Sequence, residues 1–165
     1  MEVRDLCLVR HAKSSWDEPG QDDFDRTLDA RGRRDAPMMA MKMKEMGLAP
    51  DYIITSGAKR ARKTAMYFKE TFNLPDRYFE INNDIYEASA ETIYKVIRSA
   101  PDQARFLYLF GHNPTLTWIA NHISGVHIDN VPTCGVLHVQ ASLTSWANFK
   151  PEYAAFIGFH YPKQF

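Results

Sequence analysis

Val3-Arg-Asp-Leu-Cys-Leu-Val-Arg-His11 carries a short, mostly apolar run that stops at an arginine and a histidine. It reads as a strand whose polar end lies where the chain leaves a sheet. Polar, turn-rich sequence follows from Lys13 to Asp25, with Pro19-Gly20 marking a loop. Ala36, Met39, Met43 and Met46 then recur at helical spacing, closed by Gly47 as a C-cap. Within that stretch Pro37 either lies in the first turns of a helix starting later than Asp29 suggests, or kinks a longer one. The methionines read as core packing.

The same reading extends along the chain. Asp51 to Thr55 predicts a second strand, and Ala61, Ala65, Phe68 and Phe72 form one helical stripe. Ser89 can cap a helix to about Ser99 whose apolar side is Ile93, Val96, Ile97 and Ala100. Arg105 to Phe110 is strand-like and ends at Gly111-His112, after which Pro114 suits the first turn of a helix reaching about Ile123. Gly135 to Gln140 and Tyr153 to Phe159 read as strands. Strand, helix, strand, helix, helix, strand, helix and two strands predict an α/β fold. The expected form is a three-layer α/β/α sandwich around a mostly parallel sheet with an antiparallel strand.

Composition narrows the class. At 165 residues, 45% hydrophobic and 13% aromatic, the chain suits a single domain, 1–165, that needs no disulfide or metal to hold a core. Cys7 and Cys134 lie far apart in no metal or redox spacing and read as reduced thiols. Met1 to Asp5 alternates charge and lacks the apolar core of a signal peptide, and no stretch approaches the ~18 apolar residues of a bilayer span. A cytoplasmic protein with no membrane partner is expected. Lys+Arg and Asp+Glu both total 20, and acidic residues interrupt the basic clusters Arg31 to Arg34 and Lys59 to Lys63. This argues against a nucleic-acid track and for a mixed face with a few arginines turned into one pocket.

Three polar clusters follow three predicted strands: Arg10-His11, Ser56 to Thr64, and Gly111-His112-Asn113. Ligands of open α/β sheets bind outside the carboxyl ends of strands, so the three can meet in one crevice. Two imidazoles with two guanidiniums suit a phosphoryl group. Arginine offers phosphate a planar donor fork, and neutral imidazole is a nucleophile near neutral pH.

Taken in order, L-V-R-H-A-K-S-S-W (Leu8 to Trp16), D-R-T-L-D-A-R-G-R-R (Asp25 to Arg34), T-S-G-A-K-R-A-R-K-T-A (Thr55 to Ala65), G-H-N-P (Gly111 to Pro114) and V-P-T-C-G (Val131 to Gly135) resemble the histidine phosphatase superfamily, the phosphoglycerate-mutase-like enzymes. The R-H-A form is similar to the small phosphohistidine phosphatases. The resemblance implies that His11 is the nucleophile and that Arg10, Arg60 and His112 hold the phosphate. It makes Ser14 and Asn113 supporting substrate contacts. It also implies no metal and no organic cofactor, and a phosphorylated protein or small phosphoester as substrate. Glu87, in D-I-Y-E-A-S, lies where many members carry a general acid, and reads either as that acid or as a solvated residue near a helix start. Gly57 stands where members often carry proline, a turn substitution expected to be harmless. Trp16 and Tyr86 read as packing or pocket mouth, and Asp25 and Arg26 as loop anchors or solvated surface. His122, His127, His138 and His160 show no zinc spacing.

Overall fold

The computed structural model describes residues 1–165. Its strands are β1 (Glu2–Arg10), β2 (Tyr52–Thr55), β3 (Phe79–Ile81), β4 (Phe106–Gly111), β5 (Val136–Leu143) and β6 (Ala154–His160). The helices are α1 (Ala30–Glu45), α2 (Lys59–Thr71), α3 (Ala90–Arg98) and α4 (Thr115–Ser124). All six strands form one sheet in the order β3-β2-β4-β1-β5-β6. The pairs β2–β3, β2–β4 and β1–β4 are parallel, and β5 alone runs against its neighbours. No helix is long and apolar enough to cross a membrane.

The continuous apolar runs have their reason in this arrangement, because a central parallel strand is covered on both faces. Leu6, Leu8, Ile54, Leu107 and Leu109 pack in one cluster with Ile93 and Ile97 of α3 and Leu116 and Ile119 of α4. The alternate residues Cys7, Val9, Ile53, Tyr108 and Phe110 pack in the other with Met39 and Met43 of α1 and Phe68 of α2. The two clusters are the two interfaces of a three-layer sandwich, and the methionines are core. Cys7 and Cys134 are both free and buried.

Local signals decided most boundaries. The Asp29 side chain accepts from the Gly32 N–H at 2.9 Å, which starts α1 at Ala30 and places Pro37 inside the helix, past its first turn. Gly47 follows that helix at φ 76°, a left-handed value that suits glycine. Ser89 caps α3 through the Thr92 N–H at 3.2 Å. Strand β3 leaves no mark in the sequence, because its three residues are too few to show a period and pair only with β2 at the sheet edge.

Register then places the chemistry. Arg10 lies opposite Gly111, and Thr55 opposite Phe110. Beyond the strands the His11 N–H donates to the Gly111 carbonyl and the Ser56 N–H to the Phe110 carbonyl, both at 3.1 Å. The residues that leave β1, β2 and β4 are thus fixed side by side at one sheet edge. The start of α1 closes on them, since a Cβ at Gly32 would lie 2.2 Å from the Lys13 carbonyl oxygen. Gly32→Ala should therefore lower the urea unfolding free energy by about 1–3 kcal/mol, because backbone atoms must move apart. An unchanged midpoint would show that α1 does not press on this loop.

Candidate active site

The ring of His11 is 7% exposed and its Nδ1 lies 2.7 Å from the carbonyl oxygen of Ala12. A carbonyl can only accept, so Nδ1 carries the proton and Nε2 keeps its lone pair. The backbone around it is held from three sides. The Ala12 N–H donates to Thr64 Oγ1 at 2.9 Å, while that hydroxyl donates to the Arg60 carbonyl at 2.7 Å. The Cys134 N–H reaches the carbonyls of both Arg10 and His11 at 3.0 Å, and the Arg10 N–H donates to the Gly135 carbonyl. The T of R-A-R-K-T and the C-G of V-P-T-C-G thus hold the histidine through backbone contacts. Cys134 manages this at φ 61°, with its thiol buried and pushed up by burial.

His112 lies with its ring centroid 5.3 Å from that of His11. The Ala58 N–H donates to Ser56 Oγ at 3.1 Å, and Ser56 Oγ is 2.9 Å from His112 Nε2. A hydroxyl that accepts from Ala58 can give its own proton to Nε2, which leaves the proton of neutral His112 on Nδ1. That Nδ1 is buried and has no partner in the protein. Arg10 Nε and Arg60 Nε are likewise buried and unpaired, so three of the six such side-chain atoms belong to this one site. Buried donors without acceptors are costly, and converging ones call for an anion.

Burial lowers the pKa of His11 to about 3, with further repulsion from His112, Arg60 and Arg10, although its bond to Ala12 works the other way. Burial likewise lowers His112 to about 4, aided by Arg60. The Arg10 guanidinium is also pushed down, first by burial and then by Arg60. Both imidazoles are neutral at physiological pH, which an attacking nitrogen requires.

Asp23, which the sequence reading passed over, organises the other wall. Its carbonyl accepts from Arg60 Nη1 at 2.6 Å and its carboxylate from Arg60 Nη2 at 2.9 Å, Arg26 Nε at 3.0 Å and the Tyr86 hydroxyl at 2.6 Å. Burial opposes ionisation of Asp23, yet the bonds from Tyr86, Arg60 and Arg26 together hold its carboxyl below the usual range. Tyr86 rises to about 12, mainly because it donates to Asp23. Its ring stands edge-on to His112 at 5.6 Å, so it belongs to the site wall. Arg26 is buried, anchors Ser14 Oγ at 2.7 Å, and lies under the exposed Trp16 ring at 3.5 Å. No spacing rule announces this cluster, because Asp23 is one acid among several in a polar loop.

Other candidates stand differently. Asn113 spends its Nδ2 protons on Asn130 Oδ1 and the Val131 carbonyl, and its Oδ1 accepts from Thr117 N–H and Oγ1. Nothing on it remains for a substrate, so it ties the start of α4 to the Asn130–Val131 loop. Glu87 is exposed, has φ 56°, and lines a small cavity together with His112. A Cβ at Gly57 would lie 1.8 Å from Oδ1 of the exposed Asn83 side chain, which would have to swing aside. His122 stacks on Trp118, His127 pairs with Asp129, and His138 Nε2 donates to Asp5 Oδ1 at 2.7 Å. No group of three or more His, Cys, Asp or Glu side chains is placed to hold a metal ion.

Two outcomes check this geometry. NMR signals of the His11 and His112 imidazoles should stay those of neutral rings from about pH 8 down to pH 5, because both groups are depressed below the ordinary histidine range. A titration centred near the ordinary histidine value of 6.5 would contradict it. Thr64→Val should cost about 1–3 kcal/mol in urea unfolding, since it strands the buried Ala12 N–H; an unperturbed variant would show that this bond does not hold the loop.

Comparison with known proteins identifies the family. Residues 6–89 match the model of the histidine phosphatase superfamily (branch 1). An uncharacterized Mycobacterium tuberculosis protein is 32% identical, covering 94% of this chain and 100% of its own length. SixA of Agrobacterium tumefaciens, assigned as a phosphohistidine phosphatase, superposes with TM-score 0.81 at 28% identity over 96% of this chain and 98% of its own. A protein histidine phosphatase SixA in complex with tungstate shares the fold at TM-score 0.79 and 16% identity, over 97% and 98% of the two chains. With its three-layer fold and its family match, the chain belongs to the histidine phosphatase superfamily and is a phosphatase of the histidine-nucleophile type.

Proposed function

We propose that this protein removes phosphoryl groups from phosphohistidine on another protein, by way of a phosphohistidine on His11. The observation that carries the reading is the pairing of a free Nε2 lone pair on His11 with three unpaired buried nitrogens on Arg10, Arg60 and His112. In the first step the Nε2 lone pair forms a bond to phosphorus as the bond to the leaving imidazole breaks, and solvent supplies that imidazole's proton. In the second step water attacks the phosphorus, the P–Nε2 bond breaks, and phosphate leaves with His11 neutral again. The two arginines and His112 match the charge on the oxygens of the phosphoryl group in flight. Ser14, whose Oγ accepts from Arg26, keeps its own proton for a phosphate oxygen.

The choice of substrate rests on two supports. Two of the connections at this end of the sheet are short, with only Ser56 to Ala58 between β2 and α2 and His112 to Pro114 between β4 and α4, while the longer connection after β1 walls the site through Asp23 and Arg26. A site rimmed by such loops admits a side chain carried on a folded partner. SixA of Agrobacterium tumefaciens, similar over its whole length, carries the same assignment. We place the protein in the cytoplasm, where such phosphoproteins are found. Glu87 favours a second reading, a small phosphoester phosphatase, because it lines a cavity shared with His112 and its carboxyl is the type of group that protonates an alkoxide.

Phosphate release from a phosphohistidine-bearing protein and from an aryl phosphate separates the readings. His11→Ala should lower turnover of the phosphoprotein at least about a thousandfold, as expected for loss of a nucleophile. Glu87→Gln should change it by less than about threefold, because imidazole leaves without a dedicated acid. A large loss in Glu87→Gln on aryl phosphate, with no turnover of the phosphoprotein, would establish the ester reading instead.

A further inference from the structure

Positive charge that the reaction does not use collects on one side of the site. Between the start of α1 and the residues after β6 lies a cavity of about 660 Å³, lined by Lys13, Arg31, Arg34 and Lys163, and it shares Arg10 with the reaction site. Asp35 is the single acidic side chain among its lining residues. It lies 3.8 Å from Arg31 Nε and 3.6 Å from Arg34 Nε, so one carboxylate serves two guanidiniums. Arg31 is steadied by a 3.3 Å bond to Thr133 Oγ1, while the Arg34 side chain is 73% exposed and free to meet a ligand. The charge on Arg60, by contrast, is offset by Asp23, and Glu87 lines the same small cavity as His112. Apart from Asp35, the charged side chains lining the Arg10 side are all basic.

We propose that this cavity is an anion subsite that takes the acidic side chains flanking the phosphohistidine of the protein substrate. The inference rests on the phosphoprotein reading above and specifies which phosphoproteins are preferred. Short-range complementarity of this kind selects partners and speeds encounter more than it adds raw affinity. A continuous polyphosphate backbone fits less well, since Asp23 and Glu87 would repel it where it crossed the site.

The test uses two labelled peptides, one bearing glutamates around a histidine and the other glutamines, each with and without phosphorylation on that histidine. Binding of the unphosphorylated forms is read by fluorescence anisotropy, and turnover of the phosphorylated forms by phosphate release. The wild type should bind the acidic peptide about fivefold to tenfold more tightly at low salt, an advantage that fades as salt screens the exposed charges. The double variant Arg34→Gln/Lys163→Gln should lose that preference and keep its aryl-phosphate activity, because neither residue touches the reaction site. Equal binding of both peptides by the wild type, or a preference that survives in the variant, would overturn the subsite. Tighter competition by inorganic pyrophosphate than by the acidic peptide would overturn its assignment to a protein. Salt-sensitive binding of the acidic peptide without turnover of either phosphorylated form would keep the subsite and refute the phosphohistidine reading.

Discussion

The site depends on one residue, Ala12. Ala12 takes the Nδ1 proton of His11 on its carbonyl and gives its own N–H to Thr64, so the nucleophile's tautomer and its tether to α2 are set by the same residue. A backbone carbonyl is a modest partner for an imidazole, weaker than the carboxylate that other catalytic histidines use. It fixes the tautomer without adding a negative charge that would repel a phosphoryl group. The neutral ring then follows from burial among cations, and the lone pair on Nε2 is left for phosphorus alongside the unpaired donors of Arg10, Arg60 and His112. Orientation, protonation state and charge complementarity come from one local arrangement.

The sheet makes that arrangement possible. Parallel register between β1, β4 and β2 brings His11, His112 and Ser56 to adjacent positions, and the hydrogen bonds from His11 to Gly111 and from Ser56 to Phe110 continue the alignment past the strand ends. Both faces of those strands are packed, so the edge that carries the chemistry inherits the rigidity of the core. The polar loop from Lys13 to Asp25, in contrast, is ordered by charge. Asp23 draws Arg26, Arg60 and Tyr86 onto one carboxylate, which fixes the terminal nitrogens of Arg60 and leaves its Nε for the pocket.

Much of this was legible in the sequence, for physical reasons. Apolar runs and helical stripes revealed the sandwich, because burial on two faces or on one stripe leaves a pattern in residue type. Polar residues immediately after three strands revealed the edge where His11, Arg10, Arg60 and His112 meet. What escaped detection has no period or composition of its own. Three residues make β3, a single carboxylate in an acidic loop makes the Asp23 cluster, and backbone N–H groups make the Cys134 contact. Asn113 illustrates the converse, since its motif suggested a substrate contact while its hydrogen bonds show a side chain fully spent on the scaffold. The neighbour of Gly57, Asn83, is remote in sequence and only the fold brings the two together.

The central claim is that the lone pair on His11 Nε2 attacks phosphorus. Rapid quench of the enzyme with a phosphodonor in alkali, followed by phosphorus NMR and peptide mapping, tests it most directly. The geometry predicts an acid-labile, alkali-stable phosphoramidate on Nε2 of His11. Phosphate on Nδ1, on His112, or on no histidine at all would contradict it.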